Sequence, residues 1–298
     1  MNKKKIVIGF IIITLLLVFA LFIKILNLKE IKKYQIDVSK FITCVDEVSY
    51  SKSQVNWKNV ASIIGVEHNN NFKNVNDDEI KKISELFIIK EENTYKIDKL
   101  ENVLEKLNFN SKQIKRVHNY INDLKYYGLK PSRLNPDTKY MKFINSIKDS
   151  SIDNYEKYNI LPSITIAQAI LESNWGESEL SAKYNNLFGI KAHSSWKGDS
   201  VNIETSEYYD KVITDEFRAY KSKSESIKDH AKFLSENPRY KDVLNKHTYI
   251  DQAQALQDAG YSTVSDKDGN LTYKNLLIQI IQQYNLQLID SKVQEIKG

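Results

Sequence analysis

One cysteine, four prolines and nine glycines stand among 298 residues. The single Cys44 excludes a disulfide framework and any cysteine-cluster metal site. So little Gly and Pro excludes collagen-like and low-complexity chains. Arginine is also scarce, supplying 4 of the 43 basic side chains. The net charge of +5 raises nucleic acid or a membrane surface as an acidic partner, although the abundance of Lys, Asn and Ile reads equally well as a compositional skew. Against these shortages stand 41% apolar and 11% aromatic residues. That is enough for a real core and excludes wholesale disorder. The length fits one or two globular units.

Residues 6–23 form an uncharged run of 18 residues behind Lys3, Lys4 and Lys5. As a helix it would measure about 27 Å, close to the hydrocarbon thickness of a bilayer. It is apolar all round, unlike a core helix with one buried stripe. A cleavable signal peptide would be shorter and end in small residues, whereas this run ends in Val18, Phe19, Ala20, Leu21 and Phe22. The expectation is an uncleaved single-pass anchor within residues 1–28. Lysines flank it on both sides, so the positive-inside rule leaves its orientation open.

Residues 34–130 read as a small all-α domain. Asn76 to Glu79 resembles a capping box, with Ile80, Ile83, Leu86 and Phe87 on one face. Ile97, Leu100, Val103, Leu104 and Leu107 form a second stripe. A third begins at Ser111 and ends near Gly128. The segment carries no evident chemistry; it reads as a packed core or, alternatively, as a docking surface for an envelope protein. Residues 131–137, with two of the four prolines, read as a linker. Residues 138–290 then form a mainly helical domain with one small β hairpin, an α+β fold, followed by a tail at 291–298. Helices are expected from Pro162 to Trp175 with Gly176 as the stop, near Ser224, from Thr248 to Ala259 and from Thr272 to Leu286. Strands are expected at 201–209 and 211–220.

The informative stretch is Ala167-Gln168-Ala169-Ile170-Leu171-Glu172-Ser173-Asn174-Trp175-Gly176. Glu172 falls in the last turn of its helix at the border of the core. The negative end of the helix dipole and partial desolvation both disfavour its ionised form. A general acid holding its proton near neutral pH needs such treatment. A Glu at a helix end is also, commonly, just a solvated side chain.

The wording from Ala167 to Ser178 resembles the catalytic helix of the peptidoglycan N-acetylglucosaminidases, glycoside hydrolase family 73. Further stretches resemble that family in order: Asn185 to Ala192, Trp196-Lys197-Gly198, Thr205-Ser206-Glu207-Tyr208, Phe217 to Tyr220, Ser224-Glu225-Ser226, Asp229-His230, Pro238-Arg239-Tyr240 and Ala255 to Thr263. The likeness covers about residues 139–288. One departure is the polar stretch Val264 to Asn270. It is longer than the family's, and the helix after it begins Tyr273-Lys274-Asn275-Leu276-Leu277 instead of the family's Tyr-Ala-x-Lys-Leu.

The resemblance implies a lysozyme-like fold and cleavage of the β-1,4 bond from N-acetylglucosamine to N-acetylmuramic acid in peptidoglycan strands. Glu172 matches the general acid. Glu207 matches a second carboxylate that opposes an oxocarbenium-like transition state, with a solvated strand residue as the alternative. Tyr261 matches a cleft tyrosine that positions the sugar's acetamido group or stabilises charge, with packing as the alternative. Gln168, Asn186, Phe188, Trp196 and Tyr208 are candidate substrate contacts, while Trp175 reads as core. A lytic transglycosylase, a muramidase or an inactive peptidoglycan-binding scaffold are the rival readings. Such glycosidases need neither metal nor cofactor, and His193 and His230 lack metal-ligand spacing.

Peptidoglycan lies outside the cytoplasmic membrane, so the resemblance implies a cytoplasmic amino terminus and an extracytoplasmic catalytic domain. Residues 137–298 hold 20 basic and 23 acidic side chains. The positive excess therefore belongs to the anchor and the unit beside it, where it favours anionic head groups or wall polymers and not nucleic acid.

Overall fold

The computed structural model describes residues 13–19, 21, 36–207 and 211–296, with backbone alone at 205–207 and 211–213. The expected anchor at 6–23 lies largely outside the described residues. Its described part, 13–19 and 21, is helical, and Leu15, Leu17 and Phe19 there are exposed. Among the described residues no helix is long and apolar enough to cross a membrane.

The small unit packs four helices, α1 (Val38–Ser49), α2 (Trp57–Glu67), α3 (Asp77–Glu85) and α5 (Ser111–Asp123), with a short α4 (Leu100–Lys106). Trp57, Val60, Ile63, Ile64, Val103 and Tyr120 are wholly or almost wholly buried at its centre. Asn76 caps α3 by accepting the Glu79 amide at 2.9 Å. The Glu79 carboxylate does not close the expected box; it pairs with His68 at 2.5 Å instead. A full capping box forms two helices later, between Asn110 and Gln113 on α5.

The unit is not all-α, however. Ile88–Lys90 (β1) and Tyr95–Ile97 (β2) form an antiparallel hairpin, with Ile88 opposite Ile97. Ile97 therefore belongs to a strand and not to the helical stripe that starts at Leu100. The β-branched pair Ile88-Ile89, the Tyr95-Lys96-Ile97 alternation and the polar turn between them favour extended chain.

The second unit holds α6 (Lys139–Tyr158), α7 (Pro162–Ser173), α8 (Glu179–Tyr184), the hairpin β3 (Ser200–Glu207) and β4 (Lys211–Arg218), α9 (Lys223–Glu236), α10 (Tyr249–Asp258), α11 (Tyr273–Tyr284) and α12 (Gln287–Val293). The β3–β4 register runs from Ser200 opposite Arg218 to Glu207 opposite Lys211. Helix α7 is the axis of this core: Ile164, Ile166, Ala167 and Ala169 have no exposed surface. Burial on all sides suits its apolar run, which starts with proline at the first turn, where no amide hydrogen bond is lost.

Two expected boundaries shift. In the expected linker at 131–137, the Pro131–Leu134 part packs onto the second unit while 135–137 are exposed. Leu134 is buried, Pro131–Leu134 forms a 3-10 turn, and the Arg133 guanidinium lies over Tyr140 and Tyr284 and donates to the Tyr284 hydroxyl at 2.9 Å. The expected tail contains most of the last turn of α12. Beyond it Glu295 bridges to Ile97 of β2, with Ile97 N donating to Gln294 O at 3.1 Å and Ile296 N to Ile97 O at 2.9 Å. The chain thus returns from the second unit to extend the small unit's sheet.

A buried polar seam joins the units. Asp46 of α1 accepts from Gln54 Nε2 at 2.9 Å, from Gln282 Nε2 at 3.2 Å and from the Tyr249 hydroxyl. Nearby, Trp57 Nε1 donates to Asn285 Oδ1 at 3.3 Å, and Asn285 Nδ2 donates to the Tyr127 carbonyl at 2.8 Å.

Candidate active site

Helix α7 ends in three consecutive residues of positive φ: Asn174 (47°), Trp175 (62°) and Gly176 (77°). The helix stops at Ser173, two residues earlier than the apolar spacing implies. The turn is held by Trp175 N donating to Ile170 O at 3.2 Å and by Gly176 N donating to Ser173 Oγ at 2.7 Å. A left-handed tryptophan is costly. Here its ring packs edge-on against Tyr140 at 4.6 Å and Tyr284 at 5.0 Å, so Trp175 is indeed an aromatic packing residue. Gly176 is required twice over, by its φ and because a Cβ there would lie 2.7 Å from the Phe143 ring.

This turn fixes the last helical turn, which carries Glu172. Glu172 is exposed on one side, yet the protein packed around its carboxyl removes enough solvent to push its pKa up, a rise partly opposed by a hydrogen bond from Tyr273. The Tyr273 hydroxyl donates to Glu172 Oε1 at 3.1 Å. It in turn accepts from Gln168 Nε2 at 3.0 Å. Gln168 has no exposed surface. It is therefore not a direct substrate contact but the inner end of a chain from Gln168 through Tyr273 to Glu172.

Tyr261 stacks on Tyr273, with ring centres 5.5 Å apart and planes 21° apart. Burial and the nearby Glu172 carboxylate keep the Tyr261 phenol protonated. Its hydroxyl lies 3.2 Å from His230 Nε2. His230 of α9 is fully buried, and desolvation lowers its pKa to about 3, so the ring is neutral. The face of its ring stacks on Phe188, with centres 3.8 Å apart and planes nearly parallel. The order Glu172, Tyr273, Tyr261, His230, Phe188 makes a continuous wall. Phe188, only 6% exposed, is the packed end of that wall and not a sugar platform.

Asn186 also changes role. Its Nδ2 donates to the carbonyls of Ile190 (3.0 Å) and Arg218 (2.8 Å), and its Oδ1 accepts from the amides of Phe188 (3.3 Å) and Ile190 (3.1 Å). All four hydrogen-bonding positions of the amide are filled by backbone. Asn186 ties the 186–190 segment to the end of β4 and has nothing left for substrate.

Trp196 belongs to a different group. The Arg218 guanidinium lies 4.4 Å above its ring, and its Nε1 donates to Asp199 O at 2.9 Å. Arg218 and the Tyr220 hydroxyl both bond Asp229 Oδ2 at 2.7 Å. Trp196 lines a cavity of about 640 Å³ with Tyr158, Tyr220, Asp229 and Lys232; Glu172, Tyr261 and Tyr273 do not line it. Of the hairpin candidates, Glu207 ends β3 opposite Lys211 and its side chain is not described, while Tyr208 lies outside the described residues. Among the described residues no group of three or more His, Cys, Asp or Glu is arranged to hold a metal ion.

Sequence reasoning missed Tyr273 and His230 as members of the site. Tyr273 looked like one more apolar position of a strong helical stripe. The available signal was its place at the start of the helix that stands where the family has Tyr-Ala-x-Lys-Leu, the tyrosine being shared. Asp229-His230 was a recognised landmark without a role.

Residues 148–286 match the family described as mannosyl-glycoprotein endo-beta-N-acetylglucosaminidase. The exo-glucosaminidase LytG of Bacillus subtilis (strain 168) is 40% identical over 173 residues, covering 54% of this chain and 58% of that protein. The peptidoglycan hydrolase FlgJ of Vibrio parahaemolyticus is 33% identical over 148 residues, 47% of this chain and 46% of that protein. The chain thus spans about half the length of the curated relatives it matches. The crystal structure of the catalytic domain of the autolysin Auto from Listeria monocytogenes is 36% identical. It matches 61% of this chain and 98% of that chain, with a TM-score of 0.45.

Proposed function

We propose that this chain, which belongs through residues 148–286 to the glucosaminidase family, is a peptidoglycan hydrolase acting on glycan strands. It cleaves the β-1,4 bond from N-acetylglucosamine to N-acetylmuramic acid. The observation that carries the reading is Glu172. It is a carboxyl at the rigid end of α7, desolvated so that its pKa rises, beside an aromatic wall.

Glu172 gives its proton to the glycosidic oxygen as the C1–O bond breaks, and the bonding pair leaves with that oxygen. Water then supplies hydroxide to the anomeric carbon, and its remaining proton restores Glu172. Tyr261, protonated and fixed by His230, offers its hydroxyl at the same wall to the acetamido group or to developing charge. Glu207, at the tip of β3, is the proposed second carboxylate. We further propose that the apolar run at 6–23 tethers the enzyme to the cytoplasmic membrane with the catalytic domain outside, where the substrate is. The exposed apolar helix at 13–19 supports this.

Digestion of purified sacculi, followed by mass spectrometry of the fragments, tests the bond. Fragments ending in reducing N-acetylglucosamine are expected. Reducing N-acetylmuramic acid would assign a muramidase, and anhydro-muropeptides a lytic transglycosylase. Glu172→Gln is expected to be inactive while folded; activity equal to the unsubstituted protein would overturn the mechanism.

A further inference from the structure

Glu172 has two oxygens, and a general acid works only if its proton sits on the one that meets the leaving group. The structure distinguishes them. Among the described residues Tyr273 is the hydrogen-bond partner of Glu172, and it reaches Oε1. The direction of that bond is set one step further in. Gln168 presents its Nε2, a donor only, to the Tyr273 oxygen. With a lone pair engaged there, the phenol's own proton points to Glu172. Oε1 is thereby held as an acceptor.

We propose that Tyr273, oriented by Gln168, is a positioning residue that holds Glu172 Oε1 as the carbonyl oxygen and so places the catalytic proton on Oε2. The inference rests on the glycosidase reading above. The same bond continues after proton transfer, when a phenol donating to a carboxylate stabilises the charge left behind. Tyr273 thus acts on both protonation states: it fixes the proton's place before transfer and lowers the cost of the anion afterwards.

The other groups around Glu172 do not compete for this role. Tyr261, from the turn after α10, stacks on the Tyr273 ring, and its hydroxyl lies beside His230 without bonding Glu172. His230, from α9, is neutral. Gln168, from α7 itself, reaches Glu172 only through Tyr273. From the hairpin, Glu207 is the one further titratable group on the proposed catalytic path, and its side chain is not described. The hydrogen bond from Tyr273 lowers the Glu172 pKa against desolvation, which raises it. Removing the hydroxyl must therefore move the pKa further up.

Tyr273→Phe keeps the ring and its stacking and deletes only the hydroxyl. Activity requires protonated Glu172, so the alkaline limb of the kcat/KM profile reports its pKa. The expected result is a limb displaced upward by roughly 0.5–1 pH unit. At the optimum kcat falls about 10-fold and KM changes by less than about 2-fold. Gln168→Leu should displace the limb in the same direction by less, and the double variant should be no worse than Tyr273→Phe alone. A lesion of packing would lower the rate at every pH without moving the limb, and the two substitutions would add.

An unmoved or lowered limb in folded Tyr273→Phe overturns the proposal, as does additivity in the double variant. If Tyr273→Phe does not fold, Gln168→Leu decides: an unmoved limb there rejects the relay. Glu172→Gln separates this from the underlying reading. Should it remain active, the general-acid assignment fails. Should it be dead while Tyr273→Phe keeps an unmoved limb, only the positioning role fails.

Discussion

The carboxylate of Asp46, in the first helix of the small unit, accepts the phenolic hydroxyl of Tyr249, 203 residues away in α10. Gln282 Nε2 donates to both of them, at 3.2 and 3.0 Å, and Gln54 holds the other carboxylate oxygen. Burial raises the Asp46 pKa to about 6, against the hydrogen bonds that lower it. An expensive buried carboxylate is thus retained at the point where the two units meet, with three donors arranged around it.

Asp46→Ala leaves those donors buried without an acceptor and should cost about 2–4 kcal/mol, whereas Tyr249→Phe should cost about 1–2 kcal/mol. Urea unfolding of the two variants checks both figures. The pH dependence has a definite sign. The folded pKa of about 6 lies above the ordinary 3.8, so the folded state holds the proton more tightly. This contribution is fully present below about pH 4 and is lost as pH rises through 6. The difference in stability between the parent chain and Asp46→Asn should change across that window and be flat above pH 7.

His230 contributes with the opposite sign. Its folded pKa of about 3 lies below the ordinary 6.5 because burial disfavours the imidazolium. The unfolded chain takes up this proton first, so stability falls as pH drops from 6.5 towards 3. Replacement by Phe, stacked on Phe188 in the same place, should flatten the acid limb of a stability–pH curve. It should also cut kcat, because Tyr261 loses the partner of its hydroxyl. An acid limb as steep as that of the parent chain would show that His230 is not the group responsible.

Much of this was legible in the sequence, for identifiable reasons. Helices with a polar cap, such as α5 and α9, or a strong 3.6 periodicity, such as α11, stand close to where the pattern puts them. The placing of Glu172 in a last helical turn was legible because it is local: the helix, its last turn and the glycine after it lie within ten residues. What was not legible depends on pairings distant in sequence. Tyr273 meets Glu172 across 101 residues, and an aromatic at a helix start gives no hint of such a partner. The β1–β2 hairpin was hidden by two apolar segments short enough to pass for helix. Residues 131–137 looked like a linker because proline marks a break in regular structure, not a break in packing.

Asn186 illustrates the same gap and yields a separable prediction. Its amide is saturated by four backbone groups, so Asn186→Ala should act on stability. A loss of about 2–4 kcal/mol is expected from stranding those buried groups. The folded fraction should keep a KM within about 2-fold of the parent value, whereas a sugar contact would raise KM at nearly unchanged stability. Thermal unfolding beside steady-state kinetics on soluble glycan fragments distinguishes the two.

The small unit offers the largest test. As a spacer it would be dispensable, and removing residues 34–130 would leave the catalytic unit folded and active. The contacts argue otherwise. Its removal takes Asp46 from Tyr249 and Gln282, Trp57 and Tyr127 from Asn285, and Ile97 from the strand pairing of residues 294–296. It also uncovers Leu288, which packs against the small unit's core. Gln282 and Asn285 lie at and just beyond the far end of α11, the helix whose first residue, Tyr273, holds Glu172. Loosening that end should be felt at Glu172. The expected outcome for residues 131–298 is a melting temperature lower by more than about 10 °C than that of residues 34–298. Activity on sacculi should fall at least about 10-fold, and adding back the excised unit in trans should restore part of both if the seam re-forms. Equal melting temperatures and equal activity would make the unit a dispensable spacer.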